Sequence, residues 1–378
     1  MIHIPVKKLK EGMVTAQSIY NPLGASYLTK GMELSPQYIE RLKKSGLDGV
    51  TVTSMDPKLK LAPPDDVVQE KTRISAIHNV ATAFHSVEDN GAFDPKPLQG
   101  ISETILHDII AQKKNLVQLT DIRLHDTYTF AHSVNVAILA ALLGVLLKLP
   151  QKNLLKLTLG GLLHDIGKIA VPNEVLTKAG HLSDDEWSVM QGHPEAGRQR
   201  LKKLFPSDML LSTIALQHHE HIDGSGYPNH LQGDQIHLYA RIVAIADVYD
   251  ALTSVRPYKR AYTPSVAHRL MATCSPGHFD LDLLKLFFDN VAIYPVGTIL
   301  KTQKGYAIVK KVEFGHTLTP LVCVFADHEG KLLDAPYQLD LEDAPKGMLE
   351  GVISDSELYH FIHNINIDPA VFLQEEAG

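Results

Sequence analysis

Residues 164–168 of this chain read HDIGK, and residues 218–228 read HHEHIDGSGYP. His193 stands between them, and Asp247 and the tetrapeptide RPYK at 256–259 follow them. Three widely separated segments therefore each supply imidazole or carboxylate groups, and a glycine-rich loop follows the densest of them. Polar groups in apolar helices need partners inside the protein, so this stretch determines how the surrounding helices must pack. The pattern predicts a metal-dependent hydrolase site that acts on a phosphate ester.

The apolar pattern around this stretch predicts an all-helical bundle from Val117 to about Asn290. The segment 132–149 is apolar nearly all round, which is typical of a helix inside a bundle. Ser183 is a predicted N-cap. The other helices of the bundle are predicted at 154–167, 184–200, 207–220, 238–252, 265–274 and 280–290.

The regions on either side of the bundle differ from it, because their sequence patterns include short strands. Residues 2–53 combine short strand patterns with one helix that Ser35 would cap, and residues 294–353 read as short antiparallel strands. Helices are predicted at 67–86 and 101–114, with a break at 88–100. We therefore expect a mainly α chain with four regions: an N-terminal α+β accessory or regulatory unit at 1–57, a linker with helices at 58–118, the helical catalytic domain at 119–292, and a small antiparallel β unit with a tail at 293–378.

Composition narrows the classes of function. The 378 residues carry a net charge of −7, which disfavours binding to nucleic acid or to an anionic membrane. The longest apolar run, 136–147, is too short to cross a bilayer, and no signal-peptide pattern is present, so a cytoplasmic protein is expected. The two cysteines lack a CxxC spacing, which argues against a disulfide framework or a thiolate zinc site. The sequence gives no indication of oligomeric state.

Histidine is the compositional anomaly, because ten of the 20 histidines lie between His125 and His237. A single histidine in a helix is usually an ordinary core or surface residue, and this reading applies to most of the others in the chain. Adjacent pairs inside apolar helices are a different case, and they favour a metal site built from facing helices. The candidate ligands are His132, His164, Asp165, His193, His218, His219 and Asp247. They exceed what one ion takes from a protein, so two divalent ions that share Asp165 are expected.

Other residues nearby are candidates for catalysis and substrate binding. Lys168 follows Asp165 by one helical turn and could neutralise charge that develops on a phosphate. In the loop 223–228, Gly224 and Gly226 would let the backbone approach a ligand and Tyr227 would stack or donate a hydrogen bond. The alternative interpretation of this loop is a turn that only ends the preceding helix. Arg256 and Lys259 form a candidate phosphate clamp, for which a solvated basic face is the alternative.

The ordered set HD…K, the distant histidine, HHE…DG.GYP and Asp247 resembles the HD-GYP family of bacterial cyclic dinucleotide phosphodiesterases over roughly residues 119–290. The segment around His132 also resembles the first ligand helix of that family. The resemblance implies an HD-type bundle with a di-metal site, often iron or manganese. It implies hydrolysis of cyclic di-GMP to pGpG, GMP or both, by in-line attack of a hydroxide that bridges the metals. The seven candidate ligands match the family's metal ligands, with Asp165 and Lys168 at the reacting centre.

The resemblance further implies that Lys168, Arg256 and Lys259 bind phosphate, and that Tyr227 faces the substrate or a partner such as a diguanylate cyclase-type protein. Two departures from the family pattern stand out. Some members carry a glutamate one turn before the first ligand histidine and bind three metals, whereas Tyr128 stands here, so two are expected. His221 replaces a basic residue of many relatives, which leaves the charge of the loop open.

Three other functions remain open on the sequence. One is a non-catalytic sensor or adaptor that binds the dinucleotide or a cyclase partner. Another is an HD hydrolase for a different substrate, such as a cyclic GMP-AMP, a nucleoside triphosphate or a mononucleotide. A remote third is a di-iron oxygenase on the same fold. Metal content and turnover of cyclic di-GMP discriminate among them.

Overall fold

The computed structural model describes residues 2–16, 18–20, 26–45, 47, 49–63, 67–112, 122–123, 128–178, 180–254, 262–274, 277–354, 357–358, 361 and 368–373. The expected architecture is confirmed, with a central helical bundle between a small N-terminal α+β unit and a C-terminal antiparallel sheet. Among the described residues, no helix combines the length and the apolar character needed to cross a bilayer.

The described part of the N-terminal unit contains four short strands and one α-helix. Ser35 caps the helix as predicted, because its side chain accepts a hydrogen bond from the backbone N–H of Tyr38 at 3.3 Å. The elements are β1 (Ile2–Pro5), β2 (Ile19–Tyr20), β3 (Ser26–Leu28), α1 (Pro36–Lys44) and β4 (Gly49–Val52). β1 pairs with β4 in an antiparallel ladder, and β2 pairs with β3.

The bundle follows, preceded by two helices that pack against it. Its elements are α2 (Glu70–Asn90), α3 (Lys96–Ala111), β5 (Ile122–Arg123), α4 (Tyr128–Leu146), α5 (Gln151–Leu163), α6 (Asn173–Leu176), α7 (Asp184–Met190), α8 (His193–Leu204), α9 (Met209–Gln217), α10 (Leu238–Thr253), α11 (Pro264–Arg269) and α12 (Leu281–Phe288). A 3-10 turn, Ile166–Ala170, follows α5, and a π-helical turn, Leu270–Cys274, follows α11. β5 runs parallel to β2 of the N-terminal unit.

The helix α4 lies at the centre of the bundle, as its uniformly apolar sequence predicts. Every residue from 131 to 144 is buried. This helix packs against α5, which ends at the candidate ligand His164, and against α10, which carries Asp247, so the packing of these three helices positions part of the site.

Three predicted element boundaries are wrong. The helix expected at 154–167 ends early, because α5 stops at Leu163 and a 3-10 turn follows it. The break expected at 88–100 is much shorter, because Pro97 is accommodated in the first turn of α3, where its missing N–H costs nothing. The single helix expected at 184–200 is divided into α7 and α8. Pro194 has no N–H to continue the ladder, and the carbonyl of Met190 instead accepts a hydrogen bond from the ring of His193 at 2.7 Å. The division puts His193 at the first position of α8.

The C-terminal region is a five-stranded antiparallel sheet. Its strands are β6 (Ile299–Thr302), β7 (Gly305–Lys311), β8 (Leu321–Ala326), β9 (Leu332–Asp340) and β10 (Leu349–Val352), in the order β10-β6-β7-β8-β9. One face of this sheet packs against the N-terminal unit, and both contribute to one hydrophobic core. Leu28, Leu42 and Val52 lie in this core together with Ile299 and Phe325.

Candidate metal centre

The seven candidate ligands converge on one buried place in the bundle, although they come from five separate segments. His132 lies in α4, His164 ends α5, and Asp165 opens the 3-10 turn that follows. The others are His193 at the start of α8, His218 and His219 at the end of α9, and Asp247 in α10. All seven are buried except His219, whose side chain is 24% exposed.

Local hydrogen bonds orient the imidazoles. The Nδ1 atoms of His164, His193 and His218 lie 2.7–2.9 Å from the carbonyl oxygens of the residues three positions earlier. Each Nδ1 is therefore the protonated donor, and each Nε2 keeps its lone pair for the centre of the site. His132 has the same arrangement with a carboxylate, because its Nδ1 donates to Asp250 Oδ2 at 2.6 Å.

Asp165 lies between two groups of donors. Its Oδ1 is 3.4 Å from His193 Nε2 and 3.7 Å from His218 Nε2, while its Oδ2 is 3.4 Å from His164 Nε2 and 3.8 Å from His132 Nε2. One group of mutually close donor atoms contains Asp165, His193, His218 and His219, and the other contains His132, His164 and Asp247. Within each group the donor atoms lie within 4.8 Å of one another.

Electrostatics favour the metal-binding forms of Asp165, His193 and His219. His132 differs, because burial acts to lower its pKa but the hydrogen bonds to Asp247 and Asp250 outweigh burial and raise it. Burial acts to raise the pKa of Asp165, but the nearby charges of Lys168 and His164 outweigh it and hold this pKa well below its usual range. Burial lowers the pKa of His193, and it lowers that of His219 strongly, with the charge of His218 adding to the effect. Neutral imidazole and ionised carboxylate are the forms required of metal ligands.

The donor set fits divalent metal ions. His164 Nε2 and Asp165 Oδ1 are buried and have no hydrogen-bond partner in the protein, which would be costly unless something else satisfied them. Imidazole with carboxylate is the combination that binds first-row divalent ions. A histidine and aspartate metal-binding cluster is therefore present.

Lys168 lies at the edge of this centre. Its Nζ donates a hydrogen bond to Asp165 Oδ2, and its side chain is 21% exposed. The amine thus sits between the buried carboxylate and the open side of the site.

The loop 223–228 covers one side of the centre, and Tyr227 is its main contact. The Tyr227 ring stacks on the His219 ring with centroids 4.8 Å apart. The backbone N–H of Tyr227 donates a hydrogen bond to the backbone carbonyl of His219 at 3.0 Å. Burial, with smaller effects from Asp247 and Asp165, raises the pKa of the Tyr227 phenol far above its usual value. The phenol therefore stays protonated and can serve as a hydrogen-bond donor.

Glu220 anchors the far side of this loop, a role that sequence reasoning missed. It is 2% exposed, and its carboxylate accepts hydrogen bonds from the backbone N–H groups of Asn229 at 2.7 Å and Leu231 at 2.9 Å. The signal available in the sequence was a glutamate that directly follows the histidine pair. Gly226 packs tightly here, since a Cβ would overlap backbone atoms of residues 219–221.

The other residues singled out from the sequence are the loop glycines, His221, and the pair Arg256 and Lys259. Gly224 lies in the same loop, and contact of either loop glycine with substrate stays a prediction. His221 stacks on His278 with centroids 3.9 Å apart; burial and then the charge of His278 lower the pKa of His221, so the loop carries a neutral imidazole there. Arg256 and Lys259 lie outside the described residues.

Gly167 is a second residue that the sequence did not single out. A Cβ at this position would overlap the carbonyl oxygen of His193 and lie 2.5 Å from the backbone nitrogen of Gly197. Glycine therefore allows the 3-10 turn that carries Asp165 to touch the first turn of α8, which brings His193 beside Asp165.

Known proteins resemble the chain in sequence. The profile of the HD domain family matches residues 104–283. The cyclic di-GMP phosphodiesterase PA4108 of Pseudomonas aeruginosa is 33% identical over 366 residues, which cover 89% of this chain and 88% of that protein. A 3'3'-cGAMP-specific phosphodiesterase of Vibrio cholerae, number 2 of that name, is 37% identical over 47% of this chain and 34% of its own length. Among solved structures, an HDG"Y"P protein of Bdellovibrio bacteriovorus matches 75% of this chain and 97% of its own at 19% identity, with a TM-score of 0.49.

Proposed function

This chain belongs to the HD-GYP family of bacterial cyclic di-GMP phosphodiesterases, and on that premise we propose that it hydrolyses a phosphodiester bond of cyclic di-GMP at the histidine and aspartate cluster of the bundle. The observation that carries the proposal is the position of Asp165. Its two oxygens face different groups of histidines, and Lys168 contacts one of them. The relative named as a cyclic di-GMP phosphodiesterase matches nearly the whole chain, which supports the same substrate.

HD-domain phosphodiesterases depend on metal, and we propose two divalent ions in this chain, iron or manganese. The division of the donor atoms into two compact groups supports the number. Histidine with carboxylate, without thiolate, supports the type of metal. Ions bound there would supply a hydroxide at neutral pH and polarise a phosphate oxygen.

The protein side chains then have separate tasks. Asp165 and Asp247 remain ionised in the buried site. Backbone carbonyls fix the direction of the Nε2 atoms of His164, His193 and His218. Lys168 is proposed to stabilise negative charge on the phosphate or to give a proton to the leaving oxygen. Tyr227 is proposed to donate a hydrogen bond to the substrate. Arg256 and Lys259 are proposed to hold a phosphate of the substrate.

The test uses the full-length protein, purified without oxygen and loaded in turn with ferrous iron and manganese. Bound metal per chain is quantified, and the products from cyclic di-GMP are separated by chromatography. About two metals per chain and the appearance of pGpG or GMP are expected, and the product ratio shows how many bonds are cut. Full metal content with intact cyclic di-GMP would contradict the proposed substrate.

A second candidate substrate, cyclic GMP-AMP, is favoured by one observation. A relative that is 37% identical over the matched region is named as specific for 3'3'-cGAMP. Both dinucleotides are therefore compared in the same assay by kcat/KM. Binding without turnover of either would instead support a sensor or adaptor.

We further propose that the loop 223–228 also offers a surface for a diguanylate cyclase-type partner. Asp223 and Ser225 are exposed at its tip, which supports access by a protein. A purified cyclase that fails to bind the full-length protein in a titration would contradict this proposal.

A further inference from the structure

A chain of buried polar side chains leads from the centre to α2. His132 Nδ1 donates to Asp250 Oδ2 at 2.6 Å, and Asp250 Oδ1 accepts from Asn135 Nδ2 at 2.8 Å. Asn135 Oδ1 in turn accepts from Arg73 Nη1 at 2.9 Å. All four residues are at most 2% exposed.

Each link in this chain depends on the next. The amide of Asn135 donates from its nitrogen and accepts at its oxygen, so the guanidinium of Arg73 and the carboxylate of Asp250 together fix which way it points. Asp250 then holds the ring of His132 with Nε2 directed at the centre, 3.0 Å from Asp247 Oδ1. A buried carboxylate needs a compensating charge or hydrogen bonds, and Arg73 brings a positive charge into this network.

Arg73 lies outside the residues that match the HD domain profile. The HD domain profile begins at residue 104, whereas α2 ends at Asn90. The first residue of α2, Glu70, accepts a hydrogen bond from the hydroxyl of Ser18 in the N-terminal unit. The same helix thus contacts the N-terminal unit at its start and the network around the metal centre one turn later.

We propose that Arg73 is a positioning residue for the metal ligand His132, acting through Asn135 and Asp250. Through this residue the segment that precedes the HD domain takes part in the metal affinity of the site. The inference rests on the proposed function only in taking His132 as a metal ligand. It does not depend on which nucleotide is hydrolysed.

The test measures metal binding directly. Metal-free full-length protein is titrated with Co²⁺, whose visible absorption reports the ligand geometry, for wild type, Arg73→Met and Arg73→Lys. Arg73→Met is expected to weaken Co²⁺ binding about 10–100-fold, as removal of residues that orient metal ligands typically does. Arg73→Lys keeps the charge and should restore part of the affinity.

Thr72→Val is the matched control on the same helix. The Thr72 hydroxyl donates to the buried carboxylate of Asp108 at 2.7 Å, so this variant also breaks a buried hydrogen bond of α2, but one that does not lead to the centre. It should lower Tm and leave Co²⁺ affinity and spectrum unchanged. If Arg73→Met fails to fold, Asn135→Ala tests the same connection from α4.

Equal Co²⁺ affinity in wild type, Arg73→Met and Asn135→Ala would overturn the proposal, as would an equal loss in Thr72→Val. Failure of the proposed function looks different. In that case no nucleotide is hydrolysed by the wild type, while the effect on Co²⁺ binding persists.

A second, independent observation concerns Trp187, which is the single tryptophan of the chain. It lies on α7 and is 47% exposed. Its ring meets Tyr227 edge to face, with centroids 6.1 Å apart, and Tyr227 stacks on His219. Three rings in series therefore lead from a candidate metal ligand to an exposed indole.

We infer that Trp187 binds a guanine base of the substrate by stacking, which deepens the proposed function. A cyclic dinucleotide whose phosphate lies at the centre must place its purines near the rim. An exposed aromatic face there can stack on a purine and so strengthen binding of the substrate. Trp187→Ala is expected to raise KM for cyclic di-GMP about tenfold while kcat changes less than twofold, and Trp187→Phe should restore most of the affinity.

Because all indole emission comes from this residue, fluorescence gives a readout without turnover. Cyclic di-GMP added to metal-loaded Lys168→Ala protein should quench the emission, and ribose 5-phosphate, which lacks a base, should not. An unchanged KM in Trp187→Ala together with unquenched emission would overturn the inference. Absence of hydrolysis by the wild type would instead count against the proposed function.

Discussion

At the scale of single residues, Asp165 is the side chain on which the centre depends most, because its two oxygens face different groups of histidines. Asp165→Ala is expected to remove bound metal and turnover together. Elemental analysis and product chromatography measure the two losses. Glu313→Ala is the control, since this exposed carboxylate pairs with Lys311 at the surface and should change neither. An Asp165→Ala protein that stays active and metal-replete would refute the di-metal proposal.

Substitution of Lys168 should lower the rate of hydrolysis without changing metal binding. Lys168→Met keeps the length of the side chain and removes the amine, so the metal content is expected to stay and kcat to fall about 10²–10³-fold, the usual size of a lost electrostatic stabiliser. Kinetics and metal analysis on the same sample give both values. Lys285→Met, at a side chain that is 75% exposed, should behave as wild type. Unchanged kcat would remove Lys168 from the mechanism.

The sequence predicts which side chains meet here but not what orients them. Polar pairs in apolar helices, such as His164 with Asp165, can be recognised without a structure because burial leaves them few alternatives. Asp250 could also have been found, since it follows Asp247 by one turn of an apolar helix. Arg73 could not, because its partner Asn135 is 62 positions away and only packing brings them together.

At the scale of elements, the boundary between α7 and α8 matters because it places His193. Gly192 and Pro194 are local sequence signals for a helix boundary here. The apolar periodicity of 184–200 predicts one continuous helix instead. The bundle itself was predictable, because α4 is apolar on every side. The 3-10 turn after α5 follows from tertiary contacts, and periodicity alone predicts a continuous helix there.

Gly167→Ala tests the contact between this 3-10 turn and α8. The added methyl group has no room beside the backbone of His193 and Gly197, so the two segments must separate. We expect a loss of about 1–3 kcal/mol in the free energy of unfolding, together with weaker Co²⁺ binding. Denaturant unfolding and metal titration check both effects.

Gly100→Ala is the matched control for this substitution. Gly100 lies inside α3 with nothing within 4 Å of its Cβ position, so alanine there should stabilise the helix by about 0.5–1 kcal/mol and leave metal binding unchanged. If Gly167→Ala behaved in the same way, close approach would not be the reason for this glycine.

At the scale of the whole molecule, the hydrophobic cores of the described residues group the chain differently from its linear order. The helical core draws residues from α2 to α12, and the N-terminal unit shares a second core with one face of the C-terminal sheet. The other face of that sheet has a third core of its own, which includes Leu300 and Val324. Local sequence patterns predict each flanking unit correctly but cannot show that they pack together, because about 240 residues of chain lie between them. The division into separate units at 1–57 and 293–378 stays a prediction.

Deletion of residues 1–57 tests that division. Without β1, α1 and β4, the buried side chains of Ile299, Ile308 and Phe325 would lose their partners on one face of the sheet. The truncated protein is expected to bind an apolar dye and to lose the unfolding transition of the sheet, while the helical core still binds metal. Phe325→Ala in the full-length chain should weaken the same transition by about 3–5 kcal/mol. A truncated protein with an unchanged sheet transition and no dye binding would mean that the N-terminal unit contributes little to the shared core, and would support an independent regulatory unit.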